Sequence, residues 1–322
     1  MSSAIRQVES FLRRGFGILS RFSASRAEHR SKRADNILMI LAAVVFLVGF
    51  VFAYASFPND DFETSWGLLL LVAVVGVPLT VATNTAEYLV SVKLLGYRVP
   101  LGAALRVSVV ASAANFLPLP GSVLVRTRAI RGLGANTGSA LGVSTLVGVA
   151  WVATGMTLTG GLLLAYGRMA VGALTFFAGA VLLGATLYSS TRLGPRTSWA
   201  TTGWLVLVEV ASVLVKGVRL YVIFHALQFQ VDIDQAMALA MAAVLSVASG
   251  FLPGGLGLTE VLSAAVSPVV DVPAAAGLLA AAIDRLIGLG VLGLITVALI
   301  FWKPAGDEEA TETISESLPS KS

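Results

Sequence analysis

The sequence predicts an all-α polytopic membrane protein with about six spanning helices and two re-entrant helical hairpins in an inverted repeat. The first reason is composition: 56% of the 322 residues are hydrophobic, 12% are charged, and the mean hydropathy is +0.85. Such a chain has too few polar residues to cover its apolar surface in water. The second reason is a pair of breaks rich in proline and glycine, which interrupt long apolar stretches at 115–131 and 250–260.

The two breaks are copies of one pattern. The triplet FLP at 116–118 recurs at 251–253, an offset of 253 − 118 = 135 residues. The same offset aligns the apolar segments on both sides of each break. Repeat one therefore covers 66–165 and repeat two covers 201–302, within a transmembrane domain at 37–302.

The two ends of the chain carry opposite charge. In the basic segment 1–36, arginines and apolar residues recur at roughly helical spacing, which predicts an amphipathic helix on the anionic inner leaflet. A disordered basic tail is the alternative. The basic pattern stops where the first apolar run begins, so it indicates a cytoplasmic topology signal and no nucleic-acid partner. Residues 303–322 form an acidic tail that we expect to be disordered. Both termini are expected on the cytoplasmic side of the cell membrane.

Six apolar stretches are long enough to cross a hydrocarbon core of about 30 Å at about 1.5 Å per residue. We expect a kink at Pro78 and a tight turn at Gly167-Arg168. Apart from Arg168, the loops that fall outside lack lysine and arginine. The six stretches are 37–57, 66–88, 139–165, 169–188, 201–227 and 273–302.

At each break, a stretch that enters the membrane is followed by one too short to cross it. Residues 101–117 enter and 122–130 return, and in the second copy 235–252 enter and 256–266 return. Three predicted spans, an odd number, separate the breaks. The first hairpin should therefore open to the cytoplasm and the second to the exterior. The alternative is a helical scaffold in which the duplication has no function.

The hairpin tips predict a polar pocket, because irregular backbone is tolerated at membrane depth only where protein or water satisfies it. The N-terminus of each return helix favours an anion. Ser122 adds a hydroxyl, and Arg126 adds a guanidinium suited to bidentate phosphate contact. We therefore expect a phosphate-bearing headgroup here. The alternative for Arg126 is that it extends to the inner interface.

Several ionisable residues fall within the predicted spans, where a charge at the bilayer centre costs about 2.5–3.5 kcal/mol on insertion scales. Each should face the interior and have a partner. We expect Lys216 and Asp284 to face each other or Glu260, as coupling groups or as ion pairs that hold the bundle together. Glu87, near a helix end, is expected at the interface. The interior set is Arg106, Glu209, Lys216, Arg219, Glu260, Asp284 and Arg285.

Other features narrow the chemistry. The chain has no cysteine and two histidines, which leaves little for a metal site, and no phosphate-binding loop of the GxxxxGK[ST] type. We therefore expect no cofactor, no metal and no catalytic constellation. Gly138 and Gly142 form a GxxxG pair that suits close helix packing.

At the breaks the chain resembles the flippase-like transmembrane domain of lysylphosphatidylglycerol synthases, a family that also occurs as stand-alone membrane proteins. In the first motif, Asn115, Pro118 and Arg126 match the family pattern, whereas its middle arginine, glycine and glutamate are absent.

The second motif follows the family more closely. Thr259 stands where the family has an arginine, and Arg285 matches an arginine of the family's last span. The matching residues of the motif are Pro253, Gly254, Gly255, Gly257 and Glu260.

The resemblance implies a lipid flippase or lipid transporter without a synthase domain, whose cargo is a phospholipid or a polyprenyl-phosphate-type lipid. The alternatives are a membrane subunit that docks or regulates a glycosyltransferase or lipid synthase, and an intramembrane enzyme acting on a lipid phosphate. The expected substrate-binding residues are Asn115, Pro118, Ser122, Arg126, Pro253, Gly254, Gly255, Gly257 and Glu260. The expected ion- or headgroup-coupling residues are Glu209, Lys216, Asp284 and Arg285.

Overall fold

The structure, a computed structural model, describes residues 51, 64–114, 121–190, 199–249 and 258–301. Within these ranges the chain is helical and has no strand, as the sequence predicts. The N-terminal segment 1–36, the first predicted span apart from Val51, both hairpin tips and the acidic tail lie outside the described residues.

Nine helices make up the described part of the chain, and their bounds fall within a few residues of the predicted segments. A π-helical turn interrupts the first helix, and a 3₁₀ turn, Ser267–Val270, extends the eighth. The helices are α1 (Trp66–Leu94), α2 (Leu101–Ala114), α3 (Gly121–Gly132), α4 (Thr137–Ala165), α5 (Met169–Ser190), α6 (Trp199–Ala226), α7 (Ile233–Ser249), α8 (Leu258–Val266) and α9 (Ala274–Phe301).

Four of these helices, α1, α4, α5 and the stretch Ala274–Ala298 of α9, are long and apolar enough to cross a membrane. This finding supports the predicted membrane class. α6 has 28 residues and so is comparable in length. Unlike α4 and α5, it carries Glu209, Lys216 and Arg219 along its length.

The irregularity expected at Pro78 is present in α1 as a π-helical turn at Val72–Gly76. Pro78 lies at the start of the following segment and has no backbone N–H to bond the carbonyl of Val74. A π turn widens the helix by one residue, so the chain continues to Leu94 without ending at the proline.

Two apolar cores lie at opposite ends of the bundle. The basic end contains Tyr88, Leu94, Ile130 and Leu205. The acidic end contains a second cluster, of Val72, Leu163, Phe224, Leu239 and Leu279 among others. We name the two ends for their exposed charges, which are Lys93, Arg98, Arg128 and Arg131 at the basic end and Asp232 and Asp271 at the acidic end.

Arg168, the one basic residue among the loops expected outside, is paired at the acidic end. Its guanidinium lies 2.9 Å from Asp271 and 3.6 Å from Asp234. It also donates to the backbone carbonyls of Val269 and Val270, each over 3.2 Å. Arg168 therefore joins the α4–α5 turn to the first turn of α7 and to the segment that precedes α9.

Two pairs of packed helices have their outer ends at opposite ends of the bundle. α2 begins and α3 ends beside the core of the basic end. α7 begins at the acidic end, and α8 with its 3₁₀ turn finishes there, where Gln235 donates to the carbonyl of Val270 over 2.7 Å. In each pair the first helix therefore ends, and the second begins, away from that shared end.

The GxxxG pair is not at a close helix contact, so this expectation was wrong. A Cβ placed on Gly142 would meet no atom within 4 Å, and one on Gly138 only the side chain of Asn136. The close approach is between α4 and α5, where a Cβ on Gly160 would run into the backbone of Phe176 and one on Gly172 would lie 2.8 Å from the backbone nitrogen of Leu164.

Candidate functional site

Eight buried or partly buried charged residues of the described chain form three groups, two of which include residues of α6. Glu209, Lys216 and Arg219 occur on this helix between Leu205, in the core of the basic end, and Leu220, in the core of the acidic end. These three residues therefore lie between the two apolar cores, where an unpaired charge is costly.

The first group contains an ion pair between α3 and α1. Arg126 Nη1 donates to Glu87 Oε1, and Nη2 lies 3.4 Å from Oε2, so the guanidinium faces the carboxylate with both nitrogens. The two side chains are 13% and 10% exposed. This geometry is the bidentate arrangement that arginine also forms with phosphate.

The pair corrects two expectations from the sequence. Glu87 was expected at the interface, but its side chain is buried and pairs with Arg126 of α3. Arg126 does not extend to the interface, whereas Arg128 and Arg131 on the same helix are exposed. Neighbouring arginines of one helix therefore differ in environment because they point in different directions around its axis.

Glu209 completes the first group and has no hydrogen-bond partner. It is fully buried on α6, and neither of its carboxylate oxygens bonds to a described residue. It lies close enough to interact electrostatically with Glu87 and Arg126. The hydroxyl of Ser212, one turn further along α6, is also buried without a partner. Two carboxylates thus share one guanidinium.

In the second group two cations hold one carboxylate. Lys216 Nζ lies 2.8 Å from Asp284 Oδ2, which confirms the expected pairing, and Arg219 Nη2 lies 2.6 Å from Oδ1. Arg219 also donates to Thr80 Oγ1 over 2.8 Å. Its aliphatic stem passes Gly76, where a Cβ would come within 2.8 Å of Arg219 Cγ. The group therefore ties α6 and α9 to the π turn of α1.

The third group lies at the second break. Arg285 Nε is 3.0 Å from Glu260 Oε1, and Nη2 donates to Thr259 Oγ1 over 2.7 Å. Thr259 in turn donates to Ser246 Oγ over 2.9 Å and so connects α8 to α7. The guanidinium of Arg285 thus contacts two successive residues of α8.

The structure describes some of the sequence-predicted site residues and not others. Ser122 and Arg126 lie four positions apart on α3 and so share a face. Glu260 and Arg285 form one pair, Lys216 and Asp284 another, and Glu209 stands beside Arg126. The residues outside the described ranges are Asn115, Pro118, Pro253, Gly254, Gly255 and Gly257.

Three participants were absent from the predicted site: Glu87, Arg219 and Thr259. A usable signal existed for Glu87, since polar residues at 80, 84, 87 and 91 recur on one face of α1. The three groups together contain four cations and four carboxylates, so their formal charges balance, with one carboxylate in excess in the first group and one cation in excess in the second. Among the described residues, no three histidine, aspartate or glutamate side chains are grouped so that they could hold a metal ion.

Comparison of the chain with protein-family models and with curated proteins gives no match.

Proposed function

We propose that the protein moves a phosphate-bearing lipid between the leaflets of a membrane, by alternating access at two re-entrant helix pairs. The observation that carries the proposal is that α2–α3 and α7–α8 have their outer ends at opposite ends of the bundle, with the paired residues Arg126 and Glu260 in the first two turns of α3 and α8. Two oppositely directed broken segments around a central polar site are typical of transporters with inverted repeats.

Helix lengths support the re-entrant interpretation. α3 has 12 residues and α8 has 9, which correspond to about 18 Å and about 14 Å of helix. Both are shorter than a hydrocarbon core of about 30 Å. A short helix whose partner starts at the same end of the bundle returns to that end. We place the basic end in the cytoplasm, because lysine and arginine accumulate in cytoplasmic loops.

The charged groups suit a phosphate guest. In our proposal the guanidinium of Arg126 leaves Glu87 and binds two phosphate oxygens, with Ser122 and the N-terminus of α3 beside it. Glu260 and Arg285 line the second tip, and Asp284 with Lys216 is a coupling group for an ion or a headgroup amine. The resemblance at the two breaks supports a phospholipid or a polyprenyl-phosphate-type lipid as cargo.

The test is lipid movement in proteoliposomes that contain fluorescent phosphatidylglycerol, followed by the accessibility of the fluorophore to an impermeant quencher. Arg126→Ala should abolish movement because it removes the phosphate ligand. Arg128→Ala is the matched control: it removes an exposed arginine two positions away on the same helix and should leave movement intact. Undiminished movement with Arg126→Ala would remove that residue from the mechanism. A wild-type chain that moves no lipid but co-purifies with a stoichiometric synthase or glycosyltransferase would favour the subunit alternative.

A further inference from the structure

Glu87, Arg126 and Glu209 form a group with one more negative than positive side chain. Arg126 is engaged by Glu87, whereas both oxygens of the fully buried Glu209 are without a hydrogen-bond partner. An ionised carboxylate in such a place lacks both water and a donor, at a cost large enough that such groups neutralise instead. One proton, held by the two carboxylates together, removes the excess charge.

Among the described residues of α6 and the helices that pack against it, every lysine and arginine other than the exposed Lys93 already faces a carboxylate. α4, which packs against α6, has no ionisable side chain. On α7 the one ionisable residue, Asp234, lies at the acidic end beside Arg168. Lys216 and Arg219, further along α6, pair with Asp284 of α9. The other charged residue of α9, Arg285, pairs with Glu260. On α1, Glu87 and the phenol of Tyr88 are the groups that face Arg126.

We propose that Glu209, Glu87 and Arg126 constitute a proton-binding site that takes up a proton together with a phosphate. In the resting state Arg126 pairs with Glu87, and Glu209 carries the proton. When a phosphate monoanion takes the guanidinium, Glu87 loses its counter-ion and accepts a second proton from the solvent. The net charge of the group with its bound phosphate is unchanged, because one proton enters with each negative charge. This coupled uptake rests on the proposed function; the resting proton does not.

The resting proton is tested on the purified full-length chain in a phosphate-free detergent, by infrared absorption of protonated carboxyl groups. Glu209→Gln should remove a protonated-carboxyl band that the wild type shows at neutral pH. Glu260→Gln is the matched control: Glu260 is also a buried glutamate, but it lies against Arg285, so the band should persist. A band that survives Glu209→Gln, or one that Glu260→Gln removes, would overturn the assignment.

A second variant keeps the test valid if Glu209→Gln does not fold. Glu87→Gln frees Arg126 to pair with Glu209, which should then ionise, so the same band should disappear although Glu209 is present. Its persistence would mean that the two carboxylates do not share the guanidinium. If the band disappears from the wild type when sodium is added, the site binds sodium, and the assignment of a proton-binding site is wrong.

The coupled uptake of a proton is tested with a pH indicator in a weakly buffered detergent solution, by adding short-chain phosphatidylglycerol to the purified protein. The expected result is that the wild type takes up one proton per lipid bound and that Arg126→Ala takes up none. Lipid binding without proton uptake would overturn the coupled uptake and leave the lipid transport proposal standing. If the wild type shows the protonated-carboxyl band but neither binds nor moves lipid, the proton site is supported and the proposed function is wrong.

Discussion

Arg126 on α3 and Glu87 on α1, which are 39 positions apart in the sequence, form a largely buried ion pair that links these two helices. Breaking a buried pair by removing one partner costs about 3–5 kcal/mol, because the remaining charge has no counter-ion. Here Glu209 lies close enough to act as a reserve partner for the arginine. The stability of this region should therefore depend on both glutamates together.

The double variant Glu87→Gln, Glu209→Gln should become dependent on an anion for its stability. It leaves Arg126 with neither carboxylate, so added inorganic phosphate has no competitor for the guanidinium. In detergent solution without phosphate, the double variant should unfold at a lower temperature than either single variant. Added phosphate should raise the unfolding temperature of the double variant more than that of the wild type.

The control adds Arg126→Gln to the double variant, which removes the cation and should abolish the response to phosphate. An equal response of the double variant and the wild type would contradict the shared role of the two glutamates.

Asp284→Asn should be more destabilising than Lys216→Met. The aspartate neutralises two cations, so its loss leaves Lys216 and Arg219 without a carboxylate, at a cost of about 3–5 kcal/mol. Lys216→Met leaves the Arg219–Asp284 contact in place, and Lys216 is 27% exposed, so the loss should be smaller. Unfolding in detergent by a chemical denaturant measures both. Equal losses would show that the lysine, and not the arginine, is the main partner of Asp284.

The sequence predicts the described helices and the Lys216–Asp284 pairing well, because both depend on apolar period and on depth along a helix. It fails where rotation about a helix axis decides the contact. Glu87 lies seven residues before the end of α1, a distance typical of an interfacial glutamate, but its side chain is buried and pairs with Arg126 of α3. Likewise, a GxxxG motif shows that two small residues share a helix face, but not whether another helix packs against them. The close contact lies further along α4, at Gly160.

Thr259→Val should destabilise the protein by about 1–3 kcal/mol for each buried polar group that it leaves unpaired. The hydroxyl accepts from Arg285 and donates to Ser246, so valine removes both bonds at nearly constant volume. Thr157→Val is the matched control, since the Thr157 hydroxyl bonds only the carbonyl of Ala153 on its own helix. Thermal unfolding in detergent compares the two variants, and similar shifts would argue against a structural role for the Thr259 bonds.

Gly160→Ala should destabilise the α4–α5 contact, whereas Gly142→Ala on the same helix should not. A methyl group on Gly160 would overlap the backbone of Phe176, which cannot move aside without shifting α5. Overpacking of this kind costs about 1–3 kcal/mol. At Gly142 there is no atom within 4 Å to meet, and alanine has the higher helix propensity. A pair of thermal unfolding curves with no difference between the variants would contradict the close approach.

Single cysteines provide a direct test of the proposed orientation, because the chain has none of its own. Asp232→Cys places a thiol at the exposed acidic end, and Arg98→Cys places one at the exposed basic end. In sealed cells an impermeant maleimide should label Asp232→Cys and not Arg98→Cys, since basic loops remain in the cytoplasm. Permeabilised cells, in which both should react, control for buried thiols. If Arg98→Cys alone reacts in sealed cells, the orientation is the reverse of the proposed one. If both cysteines react, the two ends do not face different compartments, which contradicts alternating access.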